Sequence, residues 1–157
     1  MNRSMMNILV IEDDDRKIQS INEFLIHEKI SSNNNITIVK SYKSGLKEII
    51  RCNFALLILD MSLPMFDDDG ISSNLFEKFA GKKILSEMKI RKKQIPTILF
   101  TMFDHFGDQN KVINLEQINT ELNKYFSEFY LGAVYFSSQN STWQSELRAL
   151  INGYFKC

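Results

Sequence analysis

Acidic residues stand at two places in this sequence where a charge is costly unless it is used. Glu12-Asp13-Asp14-Asp15 follows directly on the short run Asn7 to Ile11, and Asp60 follows the apolar run Ala55 to Leu59. A third apolar run, Thr97 to Phe100, ends on the hydroxyl of Thr101. A charge at the end of a buried strand is expensive unless paired or bound. Several carboxylates gathered with no nearby lysine repel one another, and a hard divalent cation between them relieves the repulsion. Mg2+ takes oxygen ligands and keeps several waters, so a carboxylate pair plus a backbone carbonyl is a typical partial set. Acids at a helix N-terminus are stabilising without any ligand. That role accounts for Asp14 or Asp15 and leaves Asp60 unexplained.

The elements that must position these groups read as strand and helix in alternation. Asn7 to Ile11, Thr37 to Val39, Ala55 to Leu59, Thr97 to Phe100 and Ala133 to Phe136 are short apolar or β-branched runs, the pattern of interior parallel strands. Between them apolar residues recur at helical spacing: Ile18, Ile21, Phe24 and Leu25; then Leu46, Ile49 and Ile50; then Ile84, Leu85 and Met88. A fourth helical span carries Leu115, Ile118, Leu122, Phe126 and Phe129, and a fifth Leu147, Leu150, Ile151 and Tyr154. Asn114 with Gln117 and Ser141 with Gln144 have capping-box spacing at the starts of these last two. Leu75, Phe76 and Phe79 suggest one further amphipathic turn. Five strands alternating with five helices imply an α/β fold with a parallel sheet covered on both faces. In such a sheet ligands sit beyond the carboxyl ends of the strands. If the first, third and fourth strands are neighbours, Glu12, Asp13, Asp60 and Thr101 converge at one edge.

Composition bounds the rest. The 157 residues carry 19 Lys and Arg against 19 Asp and Glu, 44% hydrophobic and 24% charged. That is ordinary globular composition at a length where one domain, 1–157, is the default. Charge balance argues against a nucleic-acid binder, and Lys89, Arg91, Lys92 and Lys93 read as the solvated end of a helix. No apolar run approaches a membrane span, and no signal-peptide core is present, so a cytoplasmic protein is expected. Cys52 and Cys157 make no disulfide framework, and Cys52 reads as a core residue. His27 and His105 lack the spacing of a zinc site.

The segments ILVIEDD, LLILDMSLP and IPTILFT, in this order and at strand ends, resemble the receiver domain of two-component response regulators. The resemblance covers almost the whole chain. It implies a doubly wound five-stranded sheet of flavodoxin-like topology in three layers. Glu12 and Asp13 then match the acidic pair that holds Mg2+, and Asp60 the aspartate that accepts a phosphoryl group from a phosphohistidine. Ser62 matches the residue whose backbone carbonyl binds the metal. Thr101 matches the switch hydroxyl. The implied function is a stand-alone receiver without an output domain, phosphorylated with Mg2+ by a histidine kinase or phosphotransfer protein. It would signal by binding a downstream protein, and would not be an enzyme with a separate substrate.

Three departures accompany the resemblance. Receivers usually carry Lys-Pro after the fifth strand; here the chain continues Ser137-Ser138-Gln139-Asn140, with Gln139 or Ser138 at the lysine position. A neutral side chain donates a hydrogen bond and supplies no charge. This favours an alternative, a pseudo-receiver acting as a phosphorylation-independent interaction module. The segment after the third strand is long, about 67–80, and Gly81 is the best match to the glycine that opens helix three. Its Asp67, Asp68 and Asp69 read as a polar turn. The segment after the fourth strand, 102–131, is also long. Met102, Phe103 and Phe106 there suit core or interface, and the helix-four region is one through which receivers form homodimers.

Overall fold

The computed structural model describes residues 6–67, 75–103, 105–108 and 111–155. Five parallel strands form the central sheet: β1 (Ile8–Ile11), β2 (Ile36–Val39), β3 (Leu56–Leu59), β6 (Thr97–Thr101) and β9 (Tyr130–Tyr135), in the order β2-β1-β3-β6-β9. Five helices connect and cover them: α1 (Asp15–His27), α2 (Tyr42–Arg51), α3 (Ala80–Arg91), α4 (Leu115–Tyr125) and α5 (Thr142–Phe155). This is the flavodoxin-like, doubly wound topology that the resemblance implies, and the parallel sheet covered on both faces that the alternation implies. The sheet is apolar on both sides because side chains alternate across it. Ile8, Val10 and Ile58 pack with Ile21, Phe24 and Leu25 of α1 and Trp143, Leu147 and Ile151 of α5. Leu9, Ile11, Leu57 and Leu59 pack with Ile49, Ile84, Leu85, Ile118 and Leu122 of α2, α3 and α4.

Local chemistry sets the helix starts. Asp14 caps α1, its carboxylate accepting from the N–H groups of Arg16 and Lys17 at 2.9 and 3.1 Å. Asn114 and Gln117 form the expected capping box on α4. Ser141 and Gln144 do not pair in that way. The Thr142 N–H donates to Asn140 Oδ1 at 3.1 Å, and the Gln144 N–H bonds only the Ser141 backbone carbonyl. An asparagine two residues back reaches the first free N–H before the serine box can close.

Two small antiparallel ribbons were not legible in the pattern. Phe76–Glu77 forms strand β5 against β4 (Leu63–Pro64), so Leu75 to Phe79 is not the helical turn its spacing suggested. Leu75 and Phe76 are exposed, and a helix would have had no core to face. After β6, β7 (His105–Asp108) pairs with β8 (Lys111–Asn114), and the chain enters α4 directly from β8. Helix α4 ends at Tyr125. Phe126 and Phe129 are buried beyond it with their rings 5.9 Å apart, and β9 begins at Tyr130. Cys52 is exposed, contrary to its reading as core: Ile49 is the last inward residue of α2, and Cys52 leaves the helix in extended conformation. The basic cluster at 89–93 does lie at the solvated end of α3, where Lys92 takes a left-handed cap at φ 58°. No helix among the described residues is long and apolar enough to cross a membrane.

Candidate functional site

Parallel registry brings the sequence-predicted acids together. Ile11 of β1 is opposite Leu59 of β3, so Glu12 and Asp60 leave adjacent strands side by side. Carboxylate oxygens of Glu12, Asp13 and Asp60 lie within 4.8 Å of one another. Glu12 and Asp60 are buried and Asp13 is half-buried. Glu12 Oε2 accepts from the backbone N–H groups of Asp13 and Asp14 at 3.0 and 3.2 Å, and Asp60 Oδ1 from the Met61 N–H at 2.7 Å. Thr101 ends β6, the strand beside β3, and is fully buried, its hydroxyl oxygen accepting from the Phe103 N–H at 3.2 Å. Ser62 is buried two residues past Asp60, and its hydroxyl donates to the Lys78 carbonyl at 3.1 Å.

The sequence reading missed one member of the site. The carboxylates have a lysine among them: Lys17, in the first turn of α1, with a fully buried side chain. Its ammonium donates to Asp60 Oδ2 at 3.0 Å and to the Phe100 carbonyl at 3.2 Å, and forms an ion pair with Glu12 Oε1. It also lies 5.5 Å from the centre of the Phe100 ring. The signal was present in the helical period. Lys17 stands four, seven and eight positions before Ile21, Phe24 and Leu25, on the inward face.

Charge and burial act together here. Burial, with the neighbouring Asp60 carboxylate, pushes the Glu12 acid up to about 8, against the pull of Lys17. Asp13 is raised for the same two reasons. Burial alone would depress the Lys17 ammonium; Asp60 and Glu12 more than reverse it and hold it above its ordinary value. Glu12 Oε1 is a buried oxygen with no hydrogen bond of good geometry, its one close partner being the Lys17 ammonium. A set of carboxylate oxygens without sulfur or imidazole suits a hard divalent cation such as Mg2+, and Glu12 Oε1 has the lone pairs to spare for one.

The surroundings fix Asp60 from behind. The Gly81 N–H donates to the Met61 carbonyl at 2.9 Å, and a Cβ at position 81 would stand 2.8 Å from the Asp60 carbonyl oxygen. Gly81 therefore does open α3 against the site. Asp67 turns away and accepts from the Ser44 hydroxyl at 3.2 Å, as a polar turn would; Asp68 and Asp69 lie outside the described residues. Met102 is half-buried and Phe103 exposed, and the Phe106 side chain is outside the described set. After β9, Ser138, Gln139 and Asn140 are exposed, with no cation among them.

No protein-family model matches the chain. It is 28% identical over 145 residues to the Detocs response regulatory protein DtcB of Enterobacter cloacae, covering 90% of this chain and 95% of that one. It is 27% identical over 147 residues to an uncharacterized protein of Sinorhizobium fredii, covering 91% and 95%. Among solved structures it is similar to the receiver domain of a sensor histidine kinase from Pseudomonas aeruginosa with a magnesium ion coordinated in its active site cleft. The TM-score is 0.58 and the identity 14%, over 97% of this chain and 98% of that one. It is also similar to a structure of the histidine kinase ThkA in complex with the response regulator TrrA, at TM-score 0.54 and 20% identity, covering 94% and 99%. The fold, the strand order and the sequence kinship agree, and the chain carries the receiver-domain fold of response regulators.

Proposed function

We propose that the chain is a phosphoacceptor receiver, with Asp60 as the residue that takes the phosphoryl group. The observation that supports this best is the convergence of Glu12, Asp13 and Asp60 beyond adjacent strands, with Thr101 at the end of the next. An Asp60 carboxylate oxygen attacks the phosphorus of a phosphohistidine. The new O–P bond forms as the P–N bond breaks; the electron pair stays on the imidazole nitrogen, which takes a proton from solvent. Glu12, Asp13, Asp60 and the Ser62 carbonyl would hold Mg2+, which would neutralise the transferring group and orient it. Thr101 then donates its hydroxyl to a phosphoryl oxygen. Because Thr101 Oγ1 also accepts the Phe103 N–H, reorienting that hydroxyl loosens the segment after β6. Adding nearly two negative charges is enough to bias such a two-state loop.

On this reading the chain acts alone, as one domain, in the cytoplasm. Its donor is a histidine kinase or phosphotransfer protein, and its output is contact with a downstream protein or a second copy through the α4 region. It turns over no separate substrate. Two neighbours support parts of this: one receiver holds magnesium in its cleft, and one regulator is bound to a histidine kinase. The experiment is incubation with acetyl phosphate, with and without Mg2+, read by intact mass. Wild type gains one phosphoryl group only with Mg2+, and Asp60→Asn gains none. Uptake by Asp60→Asn equal to wild type places the acceptor elsewhere. With beryllofluoride, hydrogen exchange changes at Met102 and Phe103. A change confined to Ser137–Asn140 overturns the Thr101 route.

A further inference from the structure

Phosphorylation would turn the Asp60 carboxylate into an acyl phosphate of nearly two negative charges, beside the remaining carboxylates of Glu12 and Asp13. A divalent metal cannot balance all of them. A second cation is required, and the sequence places none after β9, where Ser138, Gln139 and Asn140 are neutral and exposed. Lys17 is the buried cation in contact with Asp60. Its ammonium is held on three sides, by Asp60 Oδ2, Glu12 Oε1 and the Phe100 carbonyl.

A buried ion cluster is poor as a stabilising device, since apolar residues of similar volume commonly serve as well. We propose that Lys17, delivered by α1, is the phosphoryl-binding cation of this site. The assignment rests on the phosphoacceptor reading of Asp60. The geometry explains how the ammonium becomes available. The ammonium forms an ion pair with Glu12 Oε1. Were Glu12 to serve as a metal ligand, the ammonium would be free to turn toward a phosphoryl oxygen while Asp60 and the Phe100 carbonyl keep it in place. Lys17 and the metal therefore compete for Glu12 and cooperate on the phosphoryl group. Phe100 immediately precedes Thr101, so the same ammonium touches the backbone of the switch strand.

Three proteins test this: wild type, Lys17→Met, and Lys17→Met with Gln139→Lys. The initial rate of phosphorylation by acetyl phosphate at saturating Mg2+ is read by intact mass. Mg2+ affinity is read by the fluorescence of Trp143, which packs at 5.5 Å on the Phe100 ring. Loss of a charged donor to the developing phosphoryl charge lowers the rate of Lys17→Met about a hundredfold. Its Mg2+ affinity holds or tightens, because a competing cation has left Glu12. Returning a lysine at position 139 recovers at least about tenfold of the rate, as a relocated charge would. Lys17→Gln, which replaces the ammonium with a neutral donor, decides the matter in the same way if Lys17→Met does not fold. A rate within about twofold of wild type in the folded variant overturns the assignment alone, because the loss of a charged donor cannot be that small. Rate and Mg2+ affinity collapsing together, with no recovery from Gln139→Lys, also overturn it and make Lys17 a structural group. If wild type takes up neither a phosphoryl group nor beryllofluoride, the phosphoacceptor reading fails and this assignment falls with it.

Discussion

On one flank of Asp60 stands the first turn of α1, with Lys17 fully buried and bonded to two carboxylates and a strand carbonyl. On the other flank the chain leaves β9 through Ser138, Gln139 and Asn140, all exposed and neutral. Both flanks join a strand to a helix, and they are opposite in what they supply. A site needs a cation at a point in space, and any element that ends beside that point can deliver it. The flank that carries the charge is also the one tied into the core, through Ile21, Phe24 and Leu25 on the same helix face. Charge-bearing and packing roles are thus fused in α1 and separated at β9.

The comparison can be broken most forcefully at Lys17. Without metal, Lys17→Met leaves Glu12 and Asp60 facing each other, and we expect a loss of about 3 kcal/mol, toward the lower end for breaking a buried pair because Glu12 can take up a proton. Gln139→Ala on the opposite flank should cost less than about 0.5 kcal/mol. Urea unfolding of both variants measures the contrast, and equal losses would erase it.

Gly81 is the next lever. Gly81→Val places a side chain 2.8 Å from the Asp60 carbonyl and 3.0 Å from Met61 Cα, where backbone must yield. A loss of about 2 kcal/mol is expected, as for other overpacked contacts, together with slower phosphorylation because Asp60 itself is displaced. A thermal melt and an acetyl phosphate time course read the two effects.

The pH dependence sharpens the charged flank. Glu12 is raised from 4.5 to about 8 in the fold, so the native state holds its proton where the unfolded chain has lost it. Its contribution to stability is complete below about pH 4.5 and is lost as pH rises through about 8. The metal-free protein should lose up to about 2 kcal/mol between pH 6 and 8 by linkage, and Glu12→Gln should flatten that slope. Mg2+ affinity should rise over the same window, since protonated Glu12 cannot be a ligand. Denaturant titrations across pH follow the first, and Trp143 fluorescence the second.

The smallest effect is expected at Asp60. From the sequence alone, Asp60→Asn should be tolerated or even stabilising, because it relieves carboxylate repulsion. Lys17 now offsets much of that repulsion, and the asparagine oxygen keeps only one of the two acceptor contacts while Glu12 keeps Lys17 paired. A change within about 1 kcal/mol in either direction follows. A larger fall in the melting midpoint would make Asp60 a structural hydrogen-bonding group first.

The local code of this sequence determined the alternation of strands and helices, the two-sided burial of β1 and β3, and the capping box at Asn114. These depend on period and on neighbours a few residues away, which a sequence displays directly. It also determined that Glu12-Asp13 and Asp60 follow strands and that Thr101 closes one, because a polar residue after an apolar run is visible as such. Tertiary structure alone decided that Lys17 stands between Glu12 and Asp60. A lysine on an apolar helix face reads as a solvated exception until the sheet beneath it is shown to end in carboxylates. It alone decided, too, that the two long segments fold into the β4–β5 and β7–β8 ribbons. Ribbon pairing joins residues that are not neighbours in the sequence, such as Leu63 and Glu77, and two-residue strands such as Leu63–Pro64 are too short to carry a period of their own.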